Sequence, residues 1–287
     1  MPSTPENIRL LSSNDLPMVE RLLNTSEFIY QRFTLEELPM LLRHYPALGI
    51  FHEDSMSGFL LSQTVNPPAA WIGGFGVSWT ASREYISLLE TLLEQLQKHI
   101  IKRGVRYLYY SGNDMQNDWL RDILLVRSFA LHRLLYSYDK YDYSVPSTGN
   151  HDVKLRPVEK RDIAALLAIE KACFEDFWRY DALSFEDIAA THPYFVVAEL
   201  NSNVVGYQFN ALEDEFGYLV RIAVHPSVKG LGVGVRLMSE AITFFQQARV
   251  LRIMLNTQDD NARAHRLYEW FGFVRINQMG FVLRKAL

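Results

Sequence analysis

The stretch HPSVKGLGVGVRLM, residues 225–238, places Gly230, Gly232 and Gly234 where an apolar strand, YLVRIAV, gives way to an apolar-periodic helix. Glycines at such a junction let successive backbone N–H groups converge with no Cβ in the way, which makes a concave anion site. The positive end of the helix dipole adds to the attraction, and a diphosphate is the natural occupant. A tight, flexible turn is the plainer alternative. Two common phosphate loops do not fit. One ends in Gly-Lys-Ser/Thr, whereas Lys229 here precedes the glycines; the other needs G-x-G-x-x-G, whereas this is G-x-G-x-G with Val at 235.

A second motif follows in LNTQDDNARAHRLYEWFGFVR, residues 255–275, where Asn261, Ala264, Tyr268, Gly272 and Phe273 keep the spacing N-x-x-A-x-x-x-Y-x-x-x-G-F. The two stretches, in this order, resemble the signatures of the GCN5-related N-acetyltransferases, the GNAT family, whose pyrophosphate loop reads Arg/Gln-x-x-Gly-x-Gly/Ala. The resemblance extends over residues 153–287. It implies that acetyl-CoA is the co-substrate, with its diphosphate on the backbone of Lys229, Gly230, Leu231, Gly232, Val233 and Gly234. It also implies that the strand Leu219–Val224 splays from its neighbour. Ile222, Ala223 and Val224 would then lie along the pantetheine arm, with Ile222 and Val224 presenting free peptide groups. Asn256 and Asn261 fall on the same side, and Asn261 can instead simply cap the helix it opens. Lys229 stands where Arg or Gln is usual; it keeps the charge and loses bidentate geometry.

Acetyl transfer to an amine requires the amine to lose a proton, an oxyanion to be stabilised and a thiolate to be protonated. A thiol pKa near ~8.5 makes the last step useful at neutrality. Tyr268 is the acid candidate from the resemblance, although a Tyr in RLYEWF can also be core. The Val224 N–H is the candidate oxyanion donor. No base is assigned. The glutamates familiar in the family fall here on Tyr218 and Asn256. Glu213, Asp214 and Glu215 form either a solvated acidic turn or a lure for a cationic amine. KACFEDFWRYDALSFEDI, residues 171–188, falls where the family builds one wall of the acceptor groove. Phe177 and Trp178 are its candidates for contact with an amine bearing an apolar body, and packing of these aromatics on the sheet is the alternative. No metal site is expected.

The elements that must hold these residues repeat. IRLLSSNDLPMVERLL (8–23) lies over LRPVEKRDIAALLAIE (155–170), pairing Arg9 with Arg156 and Asp15 with Asp162, each Asp placed to accept N–H groups at a helix start. The offset near 147 residues persists through WIGGFGV and YLVRIAV. SFALHRLLYSYDKY and GFVRINQMGFVLRK are read as strand pairs closing the halves. Each half is thus an α/β domain, an α+β mixed sheet with packed helices. SVPSTGNHD, residues 144–152, reads as a linker between 1–146 and 150–287. The first half has GVSWTASREYISLLETLL at the place of the glycine loop, with no Gly between Gly76 and Gly104, and Leu124 falls near the place of the tyrosine. It resembles the degenerate repeat of tandem GNAT proteins, the mycothiol synthases among them.

Composition bounds the rest. A chain of 287 residues suits two domains, and 48% hydrophobic and 22% charged residues are ordinary for a globular protein. A net charge of −4 gives no polyanion footprint, so nucleic acid is not an expected partner. No apolar run approaches the ~20 residues that span a bilayer, and MPSTPENIRLL reads as no signal peptide. The one cysteine, Cys173, excludes an intrachain disulfide and fits the cytoplasm. The expectation is an N-acetyltransferase acting on an amine-bearing small molecule or peptide, away from membranes. A non-catalytic acyl-CoA sensor and a scaffold without coenzyme are the alternatives. The oligomeric state is not readable.

Overall fold

The computed structural model describes residues 7–287; residues 1–6, the start of the segment read as carrying no signal peptide, lie outside the described residues. The chain forms two compact units. One takes the residues up to Ser111 with Asp118–Leu131 and Leu283–Leu287, the other Gly112–Asn117 and His132–Val282. The first contains β1 (Asn7–Leu10), α1 (Leu16–Thr25), β2 (Ile29–Gln31), α2 (Leu38–His44), β3 (Ala47–His52), β4 (Ser55–Asn66), β5 (Ala69–Val77), α3 (Tyr85–Ile101), β6 (Tyr107–Gly112) and α4 (Trp119–Val126). Its strands run β1-β3-β4-β5-β6, with β2 also paired to β5.

After β7 (Ala130–Lys140), the second unit contains β8 (Lys154–Pro157), α5 (Ile163–Cys173), α6 (Ala182–Thr191), β9 (Tyr194–Leu200), β10 (Asn203–Glu213), β11 (Phe216–Val224), α7 (Val233–Gln247), β12 (Arg252–Gln258), α8 (Ala262–Trp270) and β13 (Val274–Ala286). Its strands run β8-β9-β10-β11-β12-β7-β13. One face of the sheet packs Tyr207, Phe209 and Ala223 against Leu166, Ile169, Phe185 and Ile188 of α5 and α6. The other packs Leu219, Ile253 and Leu255 against Met238, Ile242 and Phe245 of α7 and Tyr268 of α8. Leu219 and Ala223, four residues apart on β11, would share a face of an unbroken strand; the register shift between them puts them on opposite faces.

One expectation is corrected. The stretches read as strand pairs are single strands, β7 and β13. SFALHRLLYSYDKY has no Gly, Pro or Asn, and Gly280 of β13 sits in the sheet, where a Cβ would meet the Gly112 carbonyl at 3.2 Å. Most of β7 lies in the second unit, antiparallel to β12 from Lys140↔Ile253 to Leu135↔Gln258. Asp15 and Asp162 each accept an N–H group at a helix start, as expected. Each reaches back to the N–H of Ser12 or Glu159, at 2.8 Å in both cases, in a capping box. Each is also held by two bonds from Arg9 or Arg156, so the repeat seen in sequence is a repeated ion pair. Among the described residues no helix is long and apolar enough to cross a membrane.

Candidate active site

The parallel pairing of β11 with β12 covers Phe216↔Arg252, Gly217↔Ile253 and Tyr218↔Met254, and stops there. On its other side β11 stays paired with β10 to Val224↔Gly206, with a register shift between Phe209 and Asn210 that leaves Val220 unmatched. Such a bulge bends and twists its strand, which parts β11 from β12. The His225 N–H donates to the Val205 carbonyl at 2.8 Å, so by strand alternation the peptide groups of Val224 and Ile222 point away from β10, into the opening. By the same alternation the Asp259 N–H bond to Leu134 turns the peptide groups of Asn256 toward the opening from the β12 side. Ala223 differs from its neighbours: its register partner is Tyr207, and its side chain is core. The outward carbonyl of Val224 accepts from the Cys173 thiol at 3.3 Å. Burial, then the nearby Glu170 carboxylate, pushes this thiol up to about 11, which keeps it protonated and a poor nucleophile.

The glycine segment lies directly after β11. A short turn, Pro226–Val228, is capped by the His225 ring accepting from the Ser227 N–H. Gly230 and Gly232 both lie in the left-handed region, at φ +81° and +76°, which glycine adopts without strain. A Cβ on Gly230 would meet nothing within 4 Å. Among the described residues the N–H groups of Gly230, Gly232, Val233, Gly234 and Val235 meet no acceptor. Lys229 and Leu231 are exposed, and Val233 is buried beneath the turn. A cluster of open amides at a helix start, lined by glycine, fits a diphosphate.

Tyr268 is buried against Tyr138, with ring centroids 5.9 Å apart. Burial, then the neighbouring Tyr138, raises its pKa above the ordinary tyrosine value, so its proton stays on. Its hydroxyl has no hydrogen-bond partner among the described residues, whereas the Tyr138 hydroxyl meets His265 Nδ1 at 2.8 Å. Asn261 caps α8, its Oδ1 accepting from the Ala264 N–H at 3.2 Å while its Nδ2 donates to Thr257 at 3.1 Å.

Where the pairing of β11 and β12 ends, a cavity of about 350 Å³ begins, lined by Tyr218, Met254 and Asn256 with Glu213, Asp139 and Arg252. Tyr218 and Glu213 are thus together, while Phe177 and Trp178 stand elsewhere. Phe177 is buried, its ring 5.0 Å from those of His132 and Trp178. Asp139 takes a 2.7 Å ion pair from Arg252, whereas Glu213 has no ion-pair partner among the described residues. Asp139 and Arg252 were not legible as site residues, because Asp139 reaches the site on β7, which precedes the linker. A buried pair beside α5 was also missed. Glu170 accepts two bonds from Arg221, at 3.1 and 2.9 Å, as well as the Tyr207 hydroxyl and the Tyr180 N–H. Phe174 and Tyr180 each lie 4.2 Å from the Arg221 guanidinium, so these aromatics hold the wall rather than line a groove.

The first unit has the same opening, filled. Its β5 and β6 pair only from Ala69↔Tyr107 to Trp71↔Tyr109. Beyond that, Ile29, Tyr30 and Gln31 of β2 pair with Gly76, Phe75 and Gly74. The Arg32 N–H donates to Gly73 at 2.9 Å, and the Tyr30 hydroxyl reaches the Ser111 carbonyl on β6 at 2.9 Å. In place of the glycine turn, a 3-10 segment, Trp79–Glu84, leads into α3.

Residues 163–273 match the acetyltransferase (GNAT) family. Over 123 residues it is 29% identical to a mycothiol acetyltransferase of Thermomonospora curvata, covering 40% of this chain and 41% of that protein. The match therefore spans less than half the length of that relative. It is 27% identical over 121 residues to an uncharacterized N-acetyltransferase of Methanocaldococcus jannaschii, covering 42% of this chain and 76% of that one. The fold extends further. A tandem GNAT protein from the clavulanic acid biosynthesis pathway superposes with a TM-score of 0.69 at 11% identity, covering 98% of both chains. A GCN5-related N-acetyltransferase from Sphaerobacter thermophilus does so at 0.62 and 13% identity, covering 98% of this chain and 95% of that one.

Proposed function

We propose that the second unit is an acetyl-CoA-dependent N-acetyltransferase acting on a primary amine of a small molecule or peptide. The observation that carries this is the parallel pair β11/β12, which ends at Tyr218↔Met254 on the same strand that runs into the glycine turn. One continuous path thus offers edge peptides for an amide-bearing arm and converging amides for a diphosphate. Gly230, Gly232, Val233 and Gly234 would bind the phosphates, and Ile222, Val224 and Asn256 the arm. Acetyl-CoA supplies the acetyl group. Tyr268 holds a proton for a departing thiolate, and the Val224 N–H is a donor for developing oxygen charge. Glu213, unpaired on the cavity wall, draws the acceptor as an ammonium and gives its proton a route to solvent. The relatives named N-acetyltransferases support this class.

We further propose that the amino-terminal repeat is degenerate, because β2 takes the place that the arm needs, so the chain has one coenzyme site. Its lone cysteine, held as a thiol, suits a reducing cytoplasm. Calorimetry with CoA should give one site per chain, and acetyl-CoA should release thiol with at least one member of an amine panel. No binding overturns the reading, and two sites overturn the assignment of the first repeat. Binding without turnover on any amine makes the unit a sensor.

A further inference from the structure

The segment between the repeats is laid along α7, and its far end meets the glycine turn. The Tyr143 hydroxyl donates to the carbonyl of Val250, just past the end of α7. At the other end Asn150 Nδ2 donates to the Leu231 carbonyl at 2.9 Å. The fifteen residues of α7 rise about 22 Å. Seven peptide steps from Tyr143 to Asn150 reach up to about 24 Å, enough to follow the helix from one end to the other. Gly149 marks its closest approach: at φ +76°, a Cβ there would stand 2.4 Å from the Arg236 nitrogen and 2.9 Å from the Gly232 carbonyl. Val153, three residues after Asn150, is buried with Val233 and Leu237 of α7.

We propose that this strap sets the anion-binding shape of the glycine turn, with Asn150 as its positioning residue. The Leu231 carbonyl and the Gly232 N–H belong to one trans peptide and point in opposite directions. A carbonyl turned into the concavity would repel a phosphate and withdraw a donor at once. Asn150 gives that carbonyl a partner on the strap side, which fixes the Gly232 N–H facing the other way. Asn150 Oδ1 is already engaged, accepting from the Asp152 N–H at 2.8 Å, so the side chain is fixed at both ends. Contact at Gly232 closes the arrangement, since a Cβ there would lie 3.3 Å from Asn150 Cβ. The inference rests on the coenzyme reading above.

Asn150→Asp tests it, because it keeps the acceptor for Asp152 while replacing the donor to Leu231 with a negative oxygen. Calorimetry with CoA should show a Kd raised at least tenfold by Asn150→Asp and about fivefold by Asn150→Ala. Turnover at saturating acetyl-CoA should stay within twofold, so that the effect sits in KM. Melting temperatures without ligand should match the unmodified chain; if Asn150→Asp fails to fold, Asn150→Ala decides alone. Binding of CoA by the unmodified chain with unchanged affinity in the variants overturns the strap and leaves the coenzyme site standing. Absence of CoA binding by the unmodified chain overturns both.

Discussion

Gly234→Ala should stabilise the protein and weaken its coenzyme binding at the same time. Gly234 is the second residue of α7, and its two neighbouring glycines, unlike it, have positive φ. A Cβ at 234 would meet Val224 Cγ2 at 3.7 Å and Leu267 Cδ2 at 3.9 Å, both ordinary van der Waals contacts. No contact among the described residues therefore requires glycine there. Replacing helical Gly by Ala contributes up to about 1 kcal/mol, and roughly half of that in a first turn. For a unit of this size the melting temperature should rise by about 1–2 °C. The one thing a methyl group would obstruct is an anion drawn against the open amides. CoA affinity should then fall at least tenfold, about 1.4 kcal/mol. Gly230→Ala and Gly232→Ala should instead lose about 1–2 kcal/mol of stability, since L-residues are strained in the left-handed region. Thermal unfolding without ligand gives the first quantity and calorimetry with CoA the second. A Gly234→Ala chain that binds CoA as tightly as the unmodified one would refute the argument that the third glycine serves close approach.

Tyr268→Phe should lower turnover by roughly 10–100-fold while changing CoA affinity less than twofold, with the deficit constant to about pH 10 because the raised pKa keeps the hydroxyl protonated; unaltered turnover removes Tyr268 from the chemistry. Arg221→Ala strands the Glu170 carboxylate in the core and should destabilise by about 3–5 kcal/mol, whereas Arg221→Met with Glu170→Gln should lose less, as read by urea unfolding. The Arg156 guanidinium holds Asp162 below the ordinary aspartate value, so the pair stabilises fully above about pH 4 and progressively less as pH falls through the lowered folded value. The melting-temperature deficit of Arg156→Gln should accordingly shrink from pH 6 toward pH 3, and a deficit independent of pH would show that the pair acts by packing alone.

The glycine turn, the Asn–Tyr spacing and the internal repeat were legible because each is local. A turn needs its φ values, a helix its period, and a duplicated domain keeps both, as the matched Arg9–Asp15 and Arg156–Asp162 pairs show. The splay was expected through resemblance, and its cause, the unmatched Val220, has no signature in YLVRIAV. Tyr218 was named because a glutamate familiar in the family falls on it, and Glu213 as part of an acidic turn, while the cavity they share also needed Asp139 and Arg252, brought in by strands far apart in sequence. Phe177 and Trp178 were singled out as contact residues. Composition could not foresee that Glu170 and Arg221 would meet under that wall and draw Phe174 and Tyr180 to themselves.

Residues 144–152 have the composition of a slack linker, and the chain pins this segment near both ends of α7. FIYQRF in the first repeat and EDFWRY in the second occupy equivalent places, yet only the first joins the sheet as β2. Both outcomes depend on which edge a strand finds vacant, and a vacant edge is made by residues distant in the chain. The sequence by itself determined where a glycine-lined cluster of open amides and a tyrosine hydroxyl can form, since those are properties of a few consecutive residues. Tertiary structure alone decided which opening stays empty, which side chains line it and what holds the turn in shape, because hydrogen bonds between strands are made across space without regard to order along the chain.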